Sequence, residues 1–171
     1  MVDERMPPPP EPAADAVALV AELTRRGLTL AVAESLTGGL LTAAIVAVPG
    51  ASVALNGGVV AYATPLKSAL LGVDERLLDE RGAVDPDVAR AMADGVRHAC
   101  AVDGRPADLG LATTGVAGPD QQDGHEPGTA FVAVSGLGPS ESMALALTGD
   151  RAAIRAATVE AALRLALARL A

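Results

Sequence analysis

Aromatic side chains are almost absent from this 171-residue sequence, which has one Phe, one Tyr and no Trp. Platforms on which nucleic-acid bases could stack are therefore hard to build. Positive charge is also short. Thirteen basic residues stand against twenty-one acidic ones, and the net charge of −8 is the wrong sign for a nucleic-acid binder. A single cysteine, Cys100, excludes an internal disulfide and argues against a cysteine-based zinc site. Lysine is scarcer than arginine: twelve of the basic residues are Arg and one, Lys67, is Lys. A coding bias toward Arg explains the twelve but not the place of the one.

What is present is apolar. Half of the residues are hydrophobic, 20% are charged, and the mean hydropathy is +0.35. These values exclude wholesale disorder, and the length suits one ordinary domain. No charge occurs between Glu34 and Lys67, a run of 32 residues. Pro49-Gly50, Asn56 and Gly57-Gly58 interrupt it, so no apolar segment of about 20 residues is left to span a membrane. The opening MVDERMPPPPEP has acids and a proline run where a signal peptide needs an apolar core, and residues 1–12 read as a disordered or polyproline-like tail. A soluble, cytoplasmic protein is expected, with residues 13–171 as its single domain.

From there helix and strand signals alternate. A first helix ends near Arg25-Arg26-Gly27, cations followed by a glycine stop. Residues 28–33 read as a strand, 37–48 as a helix and 56–63 as another strand. Short helices follow around 66–71 and 75–81. Asp85-Pro86 opens a longer one, in which Val88, Met92, Val96 and Cys100 recur every fourth residue. Residues 108–113 form a third strand, 114–128 a loop rich in Gly, Pro and Asp, and 129–135 with 142–147 a strand pair. A final helix starts at Asp150. This order predicts an α/β domain, a three-layer α/β/α sandwich with a mixed, mostly parallel sheet.

Standard catalytic signatures are missing. There is no Walker A loop, no complete dinucleotide fingerprint, no HExxH and no GxSxG elbow. The two histidines read as a boundary residue (His98) and a member of a solvated polar loop (His125). No metal site is expected.

Three segments nevertheless carry chemistry-bearing residues just after predicted strands, the edge where α/β sheets bind ligands, and a fourth starts the last helix. In AESLTGG, Ser35 sits at a strand-to-helix turn, and the amides of Thr37, Gly38 and Gly39 suit a phosphate or an oxyanion. Taken alone, that segment is better read as an N-cap with packing glycines. In GGVVAYATPLK, Tyr62 and Lys67 fall within five positions. Arg cannot lose its proton near neutrality, whereas a desolvated Lys can; a solvated helical Lys is the plainer alternative. TGVAGPD supplies Thr114, Gly115 and Gly118, where the backbone can approach a ligand closely. Arg151, in TGDRAAIR, opposes the helix macrodipole, so that either a ligand phosphate or an acid elsewhere is its partner.

Together these segments resemble the CinA C-terminal domain family, the nicotinamide-nucleotide amidases. The resemblance rests on AESLTGG, on Tyr62 and Lys67 with LLGV after them, on TGVAGP, on PGTAFVAV and on the late GDR, and it runs from about residue 15 to the end. Leu36 stands where the family often has Cys. Longer relatives carry a pyrophosphatase domain ahead of this one, where here about a dozen Pro-rich residues precede the first helix. The resemblance implies hydrolysis of the carboxamide of nicotinamide mononucleotide to nicotinate mononucleotide and ammonia, without metal or organic cofactor. It implies Ser35 as nucleophile, Lys67 as base and Tyr62 as a group that relays or orients the proton. Thr37 to Gly39, or the Gly115 to Gly118 loop, would hold the oxyanion, and Arg151 the phosphate.

Two alternatives stay open: a non-catalytic nucleotide-binding module, and an amidohydrolase for another small amide. The last helix bears apolar residues on more than one face (Ile154, Ala157, Ala161 and Leu165, besides Leu163, Leu167 and Leu170), which points to a homodimer contact.

Overall fold

The structure, a computed structural model, describes residues 11–171. Most of the Pro-rich tail expected at 1–12 therefore lies outside the described residues. The chain forms α1 (Ala14–Arg26), β1 (Leu30–Glu34), α2 (Leu40–Val46), a 3₁₀ turn (Ala51–Val53) and β2 (Leu55–Val60). It continues with α3 (Thr64–Leu71), α4 (Glu75–Arg81), α5 (Pro86–Ala99), β3 (Leu109–Gly115), β4 (Thr129–Ser135), β5 (Glu141–Ala146) and α6 (Arg151–Leu170). One five-stranded sheet has the order β2-β1-β3-β4-β5. β1 pairs parallel with β2 and β3, while β4 pairs antiparallel with β3 and β5. The expected mixed sheet between helical layers is what forms.

The two faces of the sheet differ in side-chain size, and the period-2 pattern of the strands is the cause. Leu30, Val32, Leu109, Leu111, Val132 and Val134 point toward α1, α2 and α6, where they pack with Leu19, Leu23, Leu41, Ile45 and Leu163. Their neighbours Ala31, Ala33, Ala112 and Ala133 face the other way, onto Val88, Met92 and Val96 of α5. Small residues on that face let α5 lie very close. A Cβ added at Gly110 would come within 1.8 Å of the Ala93 carbonyl oxygen. Gly110→Ala should therefore destabilise by about 1–3 kcal/mol through overpacking against backbone, read by denaturant unfolding.

Several boundaries differ from the sequence reading, each for a local reason. α2 begins at Leu40 rather than 37, because Gly38 and Gly39 take positive φ and their amides go to the Ser35 carbonyl and the Glu34 carboxylate. α2 also stops two residues early, ahead of the unexpected 3₁₀ turn. β3 runs on to Gly115, since Thr114 and Gly115 keep pairing with Phe131 and Ala130. α5 is started as expected by Asp85, whose carboxylate accepts from the amides of Asp87 and Val88, with Pro86 in the first turn. Such a cap contributes about 1 kcal/mol.

On the second apolar face of α6, Ala161, Leu165 and Leu167 pack against the cluster formed with α1 and the sheet and stay partly exposed. No helix among the described residues is long and apolar enough to cross a membrane.

Candidate active site

The strand order 2-1-3 sends the chain from β1 to one side and later to the other. That leaves a crevice at the carboxyl ends of β1 and β3, the place where open α/β sheets bind ligands. Ser35 stands there. It is the first residue after β1, and its amide donates to the Thr113 carbonyl of β3 at 3.0 Å. A cavity of about 470 Å³ opens in front of it, within the range of small-molecule sites. Its walls include Ser35, Tyr62, Thr64, Lys67, Thr114 and Arg151, with the stretch from Gly115 to Gln122 on the far side.

Lys67 reaches this point from the first turns of α3, which follows β2 directly. Its side chain is wholly buried. The ammonium nitrogen Nζ lies 3.0 Å from Ser35 Oγ and donates to the Ala61 carbonyl at 2.8 Å. Among the described residues no carboxylate pairs with it. Burial without a counter-charge lowers its pKa from the ordinary 10.5 to about 8. Near neutrality about a tenth of such lysines are uncharged, against fewer than one in a thousand for a solvated one. The neutral amine has a lone pair to accept the Ser35 proton. The solvated helical Lys is not what the fold produces.

Tyr62 does not join this pair. Its side chain is 59% exposed, and its hydroxyl accepts from Arg151 Nη2 at 3.0 Å. Arg151 also donates through Nη1 to the Gly118 carbonyl at 2.7 Å, so it bridges the β2–α3 loop and the loop after β3. Its partners here are neutral oxygens, not an acid. Asp150 caps α6 by accepting from the Ala153 amide. Thr114 lines the cavity while its hydroxyl donates to the Ala83 carbonyl at 2.6 Å.

The glycine turn of AESLTGG is used differently from the sequence reading. Thr37 is buried, its hydroxyl 2.7 Å from that of Thr113. Gly38 donates its amide to the Ser35 carbonyl, and Gly39 donates to the Glu34 carboxylate. Neither amide is available to a ligand, and neither glycine lines the cavity. The amides of Leu36, Thr37, Ala117 and Gly118 have no partner among the described residues. Of these residues Leu36, Ala117 and Gly118 line the cavity.

Two residues that matter to this turn were missed. Glu34 is fully buried, and its carboxylate accepts from the amides of Gly39, Leu41 and Thr42 and from the Thr42 hydroxyl. It thus fills the positive N-terminus of α2 from within. The signal was an acid at a strand end five residues before a glycine-started helix. Arg155, four residues beyond Arg151 and so on the same face of α6, donates to the carbonyls of Leu36 and Thr37 at 3.0 and 2.7 Å. Nothing local signals a contact that spans so much sequence.

Among the described residues no cluster of three or more His, Cys, Asp and Glu side chains is arranged to hold a metal ion.

Comparison with known proteins places the chain in a family. Residues 13–170 match the family described as the CinA C-terminal domain. A CinA-like protein of Frankia casuarinae is 48% identical over 143 residues, covering 84% of this chain and 32% of that protein. One from Gloeobacter violaceus is 49% identical over 137 residues, covering 80% and 31%. The chain thus spans about a third of the length of these relatives. Among solved structures, the competence/damage inducible protein CihA from Agrobacterium tumefaciens superposes with a TM-score of 0.85 at 30% identity, covering 94% of this chain and 96% of that one. A CinA superfamily protein from Enterobacter cloacae gives 0.87 at 27% identity, covering 100% and 99%. A match along nearly the whole described chain, joined to this agreement in fold, means that the chain belongs to the CinA C-terminal domain family.

Proposed function

We propose that the chain is a serine amidohydrolase that converts nicotinamide mononucleotide to nicotinate mononucleotide and ammonia, in pyridine nucleotide salvage. The observation that carries this reading is the buried Lys67 amine, without a carboxylate partner among the described residues and 3.0 Å from Ser35 Oγ. Ser35 Oγ attacks the carboxamide carbon while its proton moves to Lys67 Nζ. The carbonyl oxygen of the substrate becomes an oxyanion, and unpaired turn amides are its donors. Lys67 then gives its proton to the departing nitrogen, ammonia leaves, and an ester on Ser35 remains. Water attacks that ester as Lys67 takes its proton, and return of the proton to Ser35 Oγ frees the carboxylate. Every proton moves between Ser35, Lys67, substrate and water, so Tyr62 is not needed as a relay.

Arg151 is the group for the phosphate, with Tyr62 holding its guanidinium at the cavity wall. An acidic protein that takes a phosphorylated substrate needs such local positive potential. A cytoplasmic setting and a homodimer complete the reading, the latter open to measurement of mass in solution.

The deciding experiment measures ammonia release from nicotinamide mononucleotide by the purified protein. Turnover at enzymic rates, about 1 s⁻¹ or more, is expected. Saturable binding of the nucleotide with no ammonia would instead identify a binding module. Release from other small amides but not this one would keep the chemistry and change the substrate.

A further inference from the structure

We infer that Arg155 is a positioning residue for the nucleophile, acting through the backbone of the turn that follows Ser35. Two of its donors hold two successive carbonyls, Nε on Leu36 and Nη2 on Thr37. A planar guanidinium fork fixes two peptide planes at once, which a lysine ammonium cannot do. In a trans peptide the N–H points opposite to the C=O. Holding the Leu36 carbonyl against α6 therefore turns the Thr37 N–H away from α6. Holding the Thr37 carbonyl does the same for Gly38 N–H, which meets the Ser35 carbonyl at 3.1 Å.

The other end of the same turn is gripped by Glu34 through Gly39, Leu41 and Thr42. Ser35 and the amides of Leu36 and Thr37, unpartnered among the described residues, lie at the Arg155 end of that turn. Arg155 thereby sets the direction of the Thr37 N–H, two residues from the nucleophile. Its positive charge on the Leu36 carbonyl also polarises the peptide whose N–H belongs to Thr37. Arg155 lines no part of the cavity, so it touches no substrate.

The kinetic arm of the test rests on the amidase reading; a second arm does not. A small fluorophosphonate phosphonylates an activated serine directly. The Ser35 oxygen bonds to phosphorus, fluoride leaves, the hydroxyl proton passes to Lys67, and the phosphoryl oxygen sits where an oxyanion would. Arg155→Met should label about 100-fold more slowly than the native protein and lose a similar factor in kcat, with KM within about threefold. Arg155→Lys, which keeps charge and stem, should still lose roughly tenfold. Arg164→Met, on the outer face of α6, should lose nothing in either assay.

A folded Arg155→Met protein labelled within about threefold of the native rate overturns the inference. If that variant does not fold, full labelling of Arg155→Lys overturns it equally. A native protein that is labelled but leaves nicotinamide mononucleotide intact disproves the amidase reading alone. One inert to both probes disproves both.

Discussion

Lys67→Met should cost the protein its activity and make it more stable. Among the described residues the amine is the one group placed to take the Ser35 proton, so turnover is expected to fall by at least about a thousandfold. A displacement from 10.5 to about 8 corresponds to roughly 3 kcal/mol of unfavourable burial of the charged form. Methionine fills nearly the same volume without that charge. The Ala61 carbonyl loses a donor in exchange, so a net gain of about 1–3 kcal/mol at pH 7 is expected in chemical denaturation.

The pH dependence has a definite sign. Between about 8 and 10.5 the unfolded lysine holds a proton that the folded one has lost. Native stability must therefore rise with pH across that window and be flat below it, as far as this group is concerned. The methionine variant should lack that rise. On the amidase reading, the rate of the native protein should climb toward the same lower bound, levelling off above pH 8. Lys67→Arg keeps the charge and removes the base; an arginine variant with native turnover would end the general-base account.

Ser35→Ala should abolish turnover, with a loss of roughly ten-thousandfold or more, because no second hydroxyl among the described residues lies against the amine. Binding should survive. The Arg151 bridge and the loop after β3 are untouched by the change, so calorimetric affinity for the nucleotide is expected to stay within about threefold. Stability should change little, since Ser35 Oγ has Lys67 as its one hydrogen-bond partner among the described residues. An alanine variant that still releases ammonia at a tenth of the native rate would remove Ser35 from the reaction.

Much of this site was legible in the sequence because its strongest cue is compositional. A lone lysine at the end of a 32-residue uncharged run stands out without any structure. The place of Ser35 at a strand-to-helix turn was legible from short-range patterning, whereas its role as nucleophile came from the family resemblance. What patterning misreads is direction. Tyr62 and Lys67 are close in sequence, yet Tyr62 turns outward to Arg151 while Lys67, one helix start later, turns in. The glycine amides looked available because a helix start has free donors; the Ser35 carbonyl takes that of Gly38 and Glu34 that of Gly39, and a buried carboxylate is the last partner composition would suggest.

Glu34 has one more consequence. The helix end that a phosphate group ordinarily seeks in an α/β protein already holds an anion the chain brought with it. Inhibitors patterned on the ligands of nucleotide-binding folds, with their charge aimed at the first helix after the first strand, would meet repulsion here. A compound built for this cleft should carry its negative end toward the last helix and leave a neutral, hydrogen-bonding head for the serine.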